Sequence, residues 1–189
     1  MNALAHVAAR LAGRAAVTVD DCDFARAAVA LILREEPNDL ELLLIKRAEA
    51  DGDPWSGHVA LPGGREEAAD ASLEDTAVRE TFEEIGVDLR RYGRILGALD
   101  ELSPRGGAPI LVRPYVATVR GGLPPLALSD EVSAAFWVPL TTLTLPSASV
   151  ESTVVVRGAE RRVPSYRHGE YVVWGITERI LRQFVELIG

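Results

Sequence analysis

One stretch constrains the fold more than any other, because it carries signals for both ends of a helix. Ser72 stands three residues before an aspartate at the start of a helical pattern, which resembles a capping box, and Gly86 is a typical C-terminal stop. The residues between them are therefore predicted to be helical. With about 100° of rotation per residue, the helix has an apolar side, and we expect that side to pack on the core through Val78, Phe82 and Ile85.

The opposite side of the predicted helix carries Glu80, Glu83 and Glu84. Like charges at this spacing repel, at a cost of about 0.2–0.5 kcal/mol per pair, and a solvated acidic face is the plain structural interpretation. The glycine pair Gly63 and Gly64 favours another one, since glycine in a sharp turn lets backbone carbonyls approach a ligand closely. Carboxylate and carbonyl oxygens are the ligands that Mg²⁺ prefers. A divalent cation bound to this face would remove the repulsion.

Apolar runs on both sides of the helix indicate a chain of mixed α and β structure. Residues 25–33 and 40–47 flank a turn and predict a β-hairpin, and residues 58–62 predict a short strand that ends at the glycine pair. Strands and helices mix without regular βαβ units, which favours an α+β fold, an α/β/α sandwich with a mixed sheet. The remaining predicted elements are strands at 93–102, 110–119 and 134–140, a hairpin around Gly158, and helices at 3–13 and at the C-terminal end.

Composition excludes some partners. The net charge of −8 argues against broad binding to nucleic acid or to an anionic membrane, and no apolar run is long enough to cross a bilayer. The single cysteine, Cys22, permits no internal disulfide, which fits a reducing compartment such as the cytoplasm. A chain of 189 residues can bury a real core. We expect one domain over 1–189, with a helical extension over 1–20.

The acidic helix and its flanks resemble the box of the Nudix hydrolase family, GX5EX7REUXEEXGU, in which U is apolar. The box would begin at Gly64. Asp70 stands where the family has a glutamate, eight residues rather than seven separate it from the arginine, and Thr81 takes the first apolar position. The second half of the box is matched by Arg79, Glu80, Glu83, Glu84, Gly86 and Val87.

This resemblance implies the Nudix fold and metal-dependent hydrolysis of a phosphoanhydride, with Mg²⁺ or Mn²⁺ as the cofactor. Gly63 would offer its backbone carbonyl to the metal, and Glu83 and Glu84 would be the main ligands. Glu80 would be a further ligand or would help to activate water. Nothing in the sequence suggests a covalent nucleophile.

The resemblance also implies supporting roles around these ligands. Arg79 would orient the carboxylates through bidentate hydrogen bonds, and Gly64 and Asp70 would support the site. Many family members supply another carboxylate from a later loop. Glu131 is well placed in the sequence to be that residue, and an exposed loop acid is the equal alternative.

Three further stretches, 55–64, 70–80 and 172–181, resemble the coenzyme A pyrophosphatase branch of the family. Trp55 stands in place of that branch's histidine, and Leu61 in place of its phenylalanine. Trp55 would stack on a base or fill the core, and the candidate basic residues would meet phosphates or lie solvated at the surface. The substrate-binding candidates are Lys46, Arg47, Trp55, Arg65 and Arg113.

The expected function is hydrolysis of a pyrophosphate bond in a small, nucleoside-diphosphate-linked substrate, with coenzyme A or a derivative as one candidate. The same chemistry on ADP-ribose, a nucleotide sugar or a nucleoside triphosphate is the nearest alternative. A non-catalytic Nudix-fold module that binds a ligand or regulates is an alternative of another class. The expected partner is the small-molecule substrate, without nucleic acid or membrane, and a homodimer stays open.

Overall fold

The structure is a computed structural model that describes residues 3–20, 23–37, 39–50, 52, 55–105, 109–145, 147–156 and 158–189. Cys22 lies outside the described residues. The helices are α1 (Ala3–Ala12), α2 (Leu73–Ile85), α3 (Leu89–Tyr92), α4 (Leu140–Thr144) and α5 (Gly175–Ile188). The strands are β1 (Ala25–Glu36), β2 (Asp39–Arg47), β3 (Val59–Ala60), β4 (Gly63–Arg65), β5 (Gly93–Ala98), β6 (Ile110–Val119), β7 (Val132–Pro139), β8 (Ser149–Val156), β9 (Ala159–His168) and β10 (Tyr171–Trp174).

A mixed sheet of seven of these strands forms the centre of the fold. Its main path runs β3-β2-β1-β6-β5, with β4 paired to β1 and β7 paired to β2. Strands β1 and β6 are parallel, whereas the hairpin β1–β2 and the other pairs are antiparallel. The predicted mixed sheet and α+β class are confirmed. A separate antiparallel sheet, in the order β10-β9-β8, contains the predicted hairpin around Gly158 as β8 and β9, whereas its third strand, β10, was not predicted.

The two faces of the mixed sheet carry different helices. Along β1, Leu31 and Leu33 belong to the hydrophobic cluster that contains residues of α1 and α5. Ala30 and Ile32 alternate with them and belong to the cluster beneath α2 and α3. This period of two is the pattern of a strand that is covered on both faces. Within the described residues, no helix has the length and apolar character needed to cross a membrane.

Helix α2 begins and ends where the sequence predicts. The side chain of Ser72 accepts a hydrogen bond from the backbone N–H of Asp75 at 3.2 Å, which satisfies one of the free donors of the first turn. At the other end Gly86 has a φ of 72°, and its N–H donates to the carbonyl of Phe82 at 2.9 Å. Both ends of the helix are therefore fixed by local hydrogen bonds.

The predicted buried side of α2 is wrong in part. Phe82 is 57% exposed and Val78 is only half-buried, although Ile85 is fully buried. The side that meets the sheet includes Thr81 and Glu84, both buried. The prediction that Glu84 lies on the side away from the core is therefore also wrong. The cluster beneath α2 includes alanines of β1, which leave room for polar side chains close to the sheet.

The glycine pair is also placed differently from the prediction. Gly63 and Gly64 do not form the turn but belong to β4, which pairs antiparallel with Val29, Ala28 and Ala27 of β1. Gly63 has a φ of 152°, and a Cβ on it would collide with the backbone of β1. Glycine therefore serves here to bring two backbones together beneath α2.

We expect the Gly86→Ala substitution to lower the free energy of unfolding by about 1–2 kcal/mol, because alanine disfavours the left-handed conformation. Its Cβ would also lie 2.8 Å from the Cβ of Ala127. Urea denaturation measures the difference. The control is Gly121→Ala, where nothing lies within 4 Å of the added carbon and no strained φ occurs. Equal stability of the two variants would contradict the assigned role of Gly86.

Candidate active site

A cavity of about 310 Å³ lies beside the C-terminal half of α2, and its lining is almost entirely acidic. Three of the lining carboxylates are the predicted glutamates of α2, and the loop before β7 supplies the others. Ser129 and Asp130 were not predicted, although they directly precede the predicted Glu131 in the sequence. The lining residues are Glu80, Glu83, Glu84, Ser129, Asp130 and Glu131.

Glu84 is the most deeply placed carboxylate in this pocket, with only 4% of the residue exposed. Its Oε2 accepts a hydrogen bond from the backbone N–H of Gly63 at 2.8 Å. Burial raises the pKa of Glu84 from its usual 4.5 to about 7, against the lowering effect of the Gly63 bond. The charges of Glu80 and Glu131 raise this pKa further, and the charge of Arg47 lowers it. An acid at this depth is costly to ionise.

Glu80 lies one turn earlier on the same side of α2. Burial raises its pKa, and the neighbouring guanidinium of Arg79 opposes that shift. Gly64 lies directly against the Glu80 carboxylate, so that a Cβ on this glycine would overlap the carboxylate atoms. The absence of a side chain at Gly64 therefore makes the space that Glu80 occupies.

Arg79 holds the acidic residues in place through most of its donors. Its Nη1 donates to Glu80 at 2.9 Å and to Glu83 at 3.0 Å, and its Nη2 donates to the carbonyl of Arg65 at 2.9 Å. The remaining donors reach Asp70. The surrounding carboxylates, above all Asp70, raise the pKa of the guanidinium, which stays positively charged.

Asp70 accepts a bidentate pair of hydrogen bonds from Arg79. Its Oδ1 accepts from Nε of Arg79 and its Oδ2 from Nη2, both at 2.9 Å. The backbone N–H of Glu67 and the hydroxyl of Thr76 also donate to Oδ2 at 2.9 Å. Hydrogen bonding from Arg79 is the largest influence that holds the pKa of Asp70 well below its usual value. Both oxygens of Asp70, which is shorter than the glutamate of the family box, therefore accept hydrogen bonds.

Backbone hydrogen bonds fix the acidic loop against α2. The N–H of Ala127 donates to the carbonyl of Ile85, and the N–H of Ser129 donates to the carbonyl of Glu84, both at 3.0 Å. The carbonyl of Glu131 accepts from the N–H of Ala48 at 2.8 Å. The side chain of Glu131 is exposed, but it lines the pocket and its charge affects Glu84. The structure therefore brings this loop acid to the predicted cluster.

The predicted substrate-binding residues are more scattered than the acids. Arg47 ends β2 close enough for its charge to lower the pKa of Glu84. Lys46 is half-buried on the same strand, and its carbonyl accepts from Ser133. The backbone carbonyl of Arg65 accepts from Arg79, and the residue is exposed.

Trp55 and Arg113 differ from the other candidates. Trp55 is 42% exposed, so it does not fill the core and the alternative of an accessible ring is retained. Arg113 lies on β6, and its Nε is 3.7 Å from the buried carboxylate of Glu101. It is not among the residues that line the acidic pocket. Sequence reasoning did not anticipate that buried acid.

The acidic pocket suits a hard divalent cation in its donor chemistry. All side chains that line it end in oxygen, and the charge is strongly negative. In the part of the chain that is described, no three His, Cys, Asp or Glu side chains already converge to hold a metal. Two glutamates instead bond Arg79 and the third bonds Gly63. A cation would compete with Arg79 and with the N–H of Gly63 for these carboxylates. Their oxygen atoms are ligands of the kind that suits Mg²⁺ or Mn²⁺.

A larger cavity of about 600 Å³ lies at the opposite end of β1, where β1 and β6 end. Its charged residues are Arg34, Glu35, Glu36, Arg94 and Arg120. Arginines outnumber glutamates there, and none of the residues of the α2 acidic face lines it. The smaller cavity therefore has the donor chemistry for a metal-dependent reaction.

Comparison with known proteins places the chain in a family. The sequence model of the NUDIX domain matches residues 23–157. An uncharacterised Schizosaccharomyces pombe protein is 44% identical over 110 residues, which are 56% of this chain and only 33% of that protein. The uncharacterised Nudix hydrolase NudL of Photorhabdus laumondii is 33% identical over 146 residues, covering 77% of this chain and 76% of NudL. A solved MutT/nudix family protein from Enterococcus faecalis shares the fold, with a TM-score of 0.59 and 19% identity over 98% of this chain and 69% of that one.

In metal-free buffer with EDTA, the wild type should lose stability as pH rises, because the buried Glu84 ionises. The Glu84→Gln variant should not show this loss. Because the pKa of Glu84 is raised on folding, the stabilisation that its protonated form gives to the folded state is fully present below about pH 4.5 and is lost as pH rises through about 7. The variant should therefore gain stability over the wild type between these values, approaching about 3 kcal/mol above pH 7. Urea denaturation at pH 4.5, 6 and 8 measures the gap. A gap that does not change with pH would contradict the buried acid as its source.

Proposed function

The chain belongs to the Nudix hydrolase family, and we propose that its acidic pocket hydrolyses a pyrophosphate bond in a small, nucleoside-diphosphate-linked substrate. One observation carries this proposal. Glu80, Glu83 and Glu84 line a single pocket with the loop acid Glu131, and Arg79 holds two of them in position. A surface that only needed to be solvated would not require a carboxylate buried as deeply as Glu84.

We assign Glu80, Glu83 and Glu84, with the backbone carbonyl of Gly63, as the groups that would hold Mg²⁺ or Mn²⁺. When bound, the cation neutralises phosphate oxygens and lowers the pKa of a water molecule. The remaining work of the protein is to position the reacting groups and to stabilise charge. Arg79 keeps the glutamates oriented, and Asp70 fixes Arg79.

Proton transfer from the attacking water needs a carboxylate at the pocket. Glu80 is half-buried with a raised pKa, and Glu131 is exposed at the pocket edge. Both can accept a proton in the ionised form. We propose that one of the two is the base.

Positive groups near the pocket would bind the substrate. Arg47 is the best supported, because its charge acts on Glu84 and it lies at the end of β2. We also assign Lys46, Arg65 and Trp55 to substrate binding. The exposed ring of Trp55 offers a surface on which a nucleobase can stack. Arg113 lies beside Glu101 and outside the pocket lining, so it would contact only a substrate that extends beyond the pocket.

Coenzyme A or a derivative is the substrate that we propose first. The stretches 55–64, 70–80 and 172–181 support it through their resemblance to the coenzyme A pyrophosphatase branch. Hydrolysis would then yield a phosphopantetheine and an adenosine 3′,5′-bisphosphate. The single cysteine supports a reducing compartment such as the cytoplasm. We also propose one domain over 1–189, because α1 and α5 pack on the sheet that carries α2.

A substrate panel tests the function directly. Coenzyme A, ADP-ribose, nucleotide sugars and nucleoside triphosphates are each incubated with Mg²⁺ or Mn²⁺, and the products are identified by mass. Glu83→Gln is the control variant, which should lose turnover of any substrate that the wild type cleaves. Cleavage of coenzyme A alone supports the proposed substrate. Cleavage of another member keeps the chemistry and discards that substrate, and no turnover of any member favours a ligand-binding module.

Glu80→Gln and Glu131→Gln identify the base. The variant that lacks the proton acceptor should lose about 10²–10⁴-fold in kcat at saturating metal, while the other variant should lose much less. Steady-state rates across pH at saturating Mg²⁺ measure this. If both variants keep wild-type turnover, neither carboxylate is the base.

A further inference from the structure

Thr76 is a fully buried threonine in the first half of α2, with 0% of the residue exposed. Its hydroxyl donates to Oδ2 of Asp70 at 2.9 Å and has a longer contact of 3.4 Å with the carbonyl of Ser72. The family box accepts any residue at this position. A side-chain hydroxyl that bonds a site carboxylate here therefore has no role in the proposed function so far.

A continuous chain of hydrogen bonds leads from this hydroxyl to the acidic pocket. Thr76 bonds Asp70, Asp70 bonds Arg79 through both oxygens, and Arg79 bonds Glu80 and Glu83. Every bond in the chain is 2.9–3.0 Å long. The orientation of the two glutamates is thus coupled to the orientation of a carboxylate that lies outside the pocket.

Arg79 alone does not determine the position of the Asp70 carboxylate, because the guanidinium and the carboxylate can turn together. The hydroxyl of Thr76 and the N–H of Glu67 both donate to Oδ2, and they come from the helix and from the preceding loop. These two donors, one from a residue before Asp70 and one from a residue after it, fix the position of the same oxygen. Asp70 is shorter than the usual glutamate and stands one residue further from Arg79, so its reach leaves little tolerance for a rotated carboxylate.

We propose that Thr76 is a positioning residue of this site, acting through Asp70 and Arg79 to orient Glu80 and Glu83 for the metal. The inference rests on the proposed function, because it assigns a task within the same site. Thr76 itself touches neither the pocket nor the substrate. Its effect should appear in metal affinity and in kcat, and much less in KM.

Thr81 supplies a matched control on the same helix. It is also 0% exposed, and its hydroxyl donates to the carbonyl of Ala77 within the helix at 2.7 Å. The same substitution at Thr81 removes a buried hydroxyl of the same kind without touching the chain of bonds that leads to Arg79. Effects of lost packing or helix stability are shared by the two positions, whereas an effect on the glutamates is expected only from Thr76.

The experiment compares Thr76→Val, Thr76→Ser and Thr81→Val in three measurements: the dissociation constant for Mn²⁺ by calorimetric titration, kcat and KM for a cleaved substrate, and the unfolding midpoint. Thr76→Val should weaken Mn²⁺ binding and lower kcat, each by about 10-fold, with KM nearly unchanged. Thr76→Ser keeps the hydroxyl and should restore both values. Thr81→Val should leave both unchanged. Thr76→Ala and Thr81→Ala replace the valine pair if valine prevents folding.

Wild-type Mn²⁺ affinity and kcat in a folded Thr76→Val variant would overturn the proposal. Equal losses in Thr76→Val and Thr81→Val would also overturn it, since they would reflect packing alone. The Mn²⁺ titration keeps this test separate from that of the proposed function. If the wild type cleaves no member of the substrate panel, the hydrolase proposal fails, while a selective loss of Mn²⁺ affinity in Thr76→Val still supports the positioning role.

Discussion

Arg79 donates hydrogen bonds to a loop aspartate, to a strand carbonyl and to two glutamates of its own helix. This one guanidinium permits several carboxylates to gather in a folded chain, because it supplies charge and fixed geometry together. Glu83 is exposed enough to be hydrated, but Glu80 and Asp70 are largely enclosed. Without the arginine, those two acids would lose their main charge partner.

The sheet beneath α2 decides how deep the acids lie. Gly64 leaves room for the carboxylate of Glu80, and the N–H of Gly63 donates to Glu84. Ala28, paired with Gly64, adds little bulk. Carboxylates thus occupy space that larger core side chains fill elsewhere in the fold. The raised pKa of Glu84 is the energetic cost of that arrangement, and a divalent cation bound to the pocket would offset it.

Local signals in the sequence predicted local structure well. Ser72 and Gly86 marked both ends of α2, and the turn residues marked the β1–β2 hairpin. Those signals depend on backbone preferences within a few residues. The side of α2 that meets the sheet depends on the surface that it packs against, and the exposed Phe82 shows that hydrophobicity alone does not reveal that surface. The placement of Gly63 in a strand likewise depends on a partner strand more than 30 residues earlier.

The residues that match the family model contain the acidic pocket, the strand pair β1–β4 and all of α2. Helices α1 and α5 lie outside the matched segment, yet Val7, Leu11 and Phe184 from them pack in the same cluster as Leu31 and Leu33 of β1. Strand β1 therefore presents Ala28 and Ala30 to the cluster beneath the acidic helix and its leucines to the cluster of the flanking helices. Since the two faces share one strand, helices from outside the matched segment contribute to the packing of the strand that pairs with Gly63 beneath α2. The flanking helices are thus part of the physical basis of the site, although they supply none of the residues that line the acidic pocket.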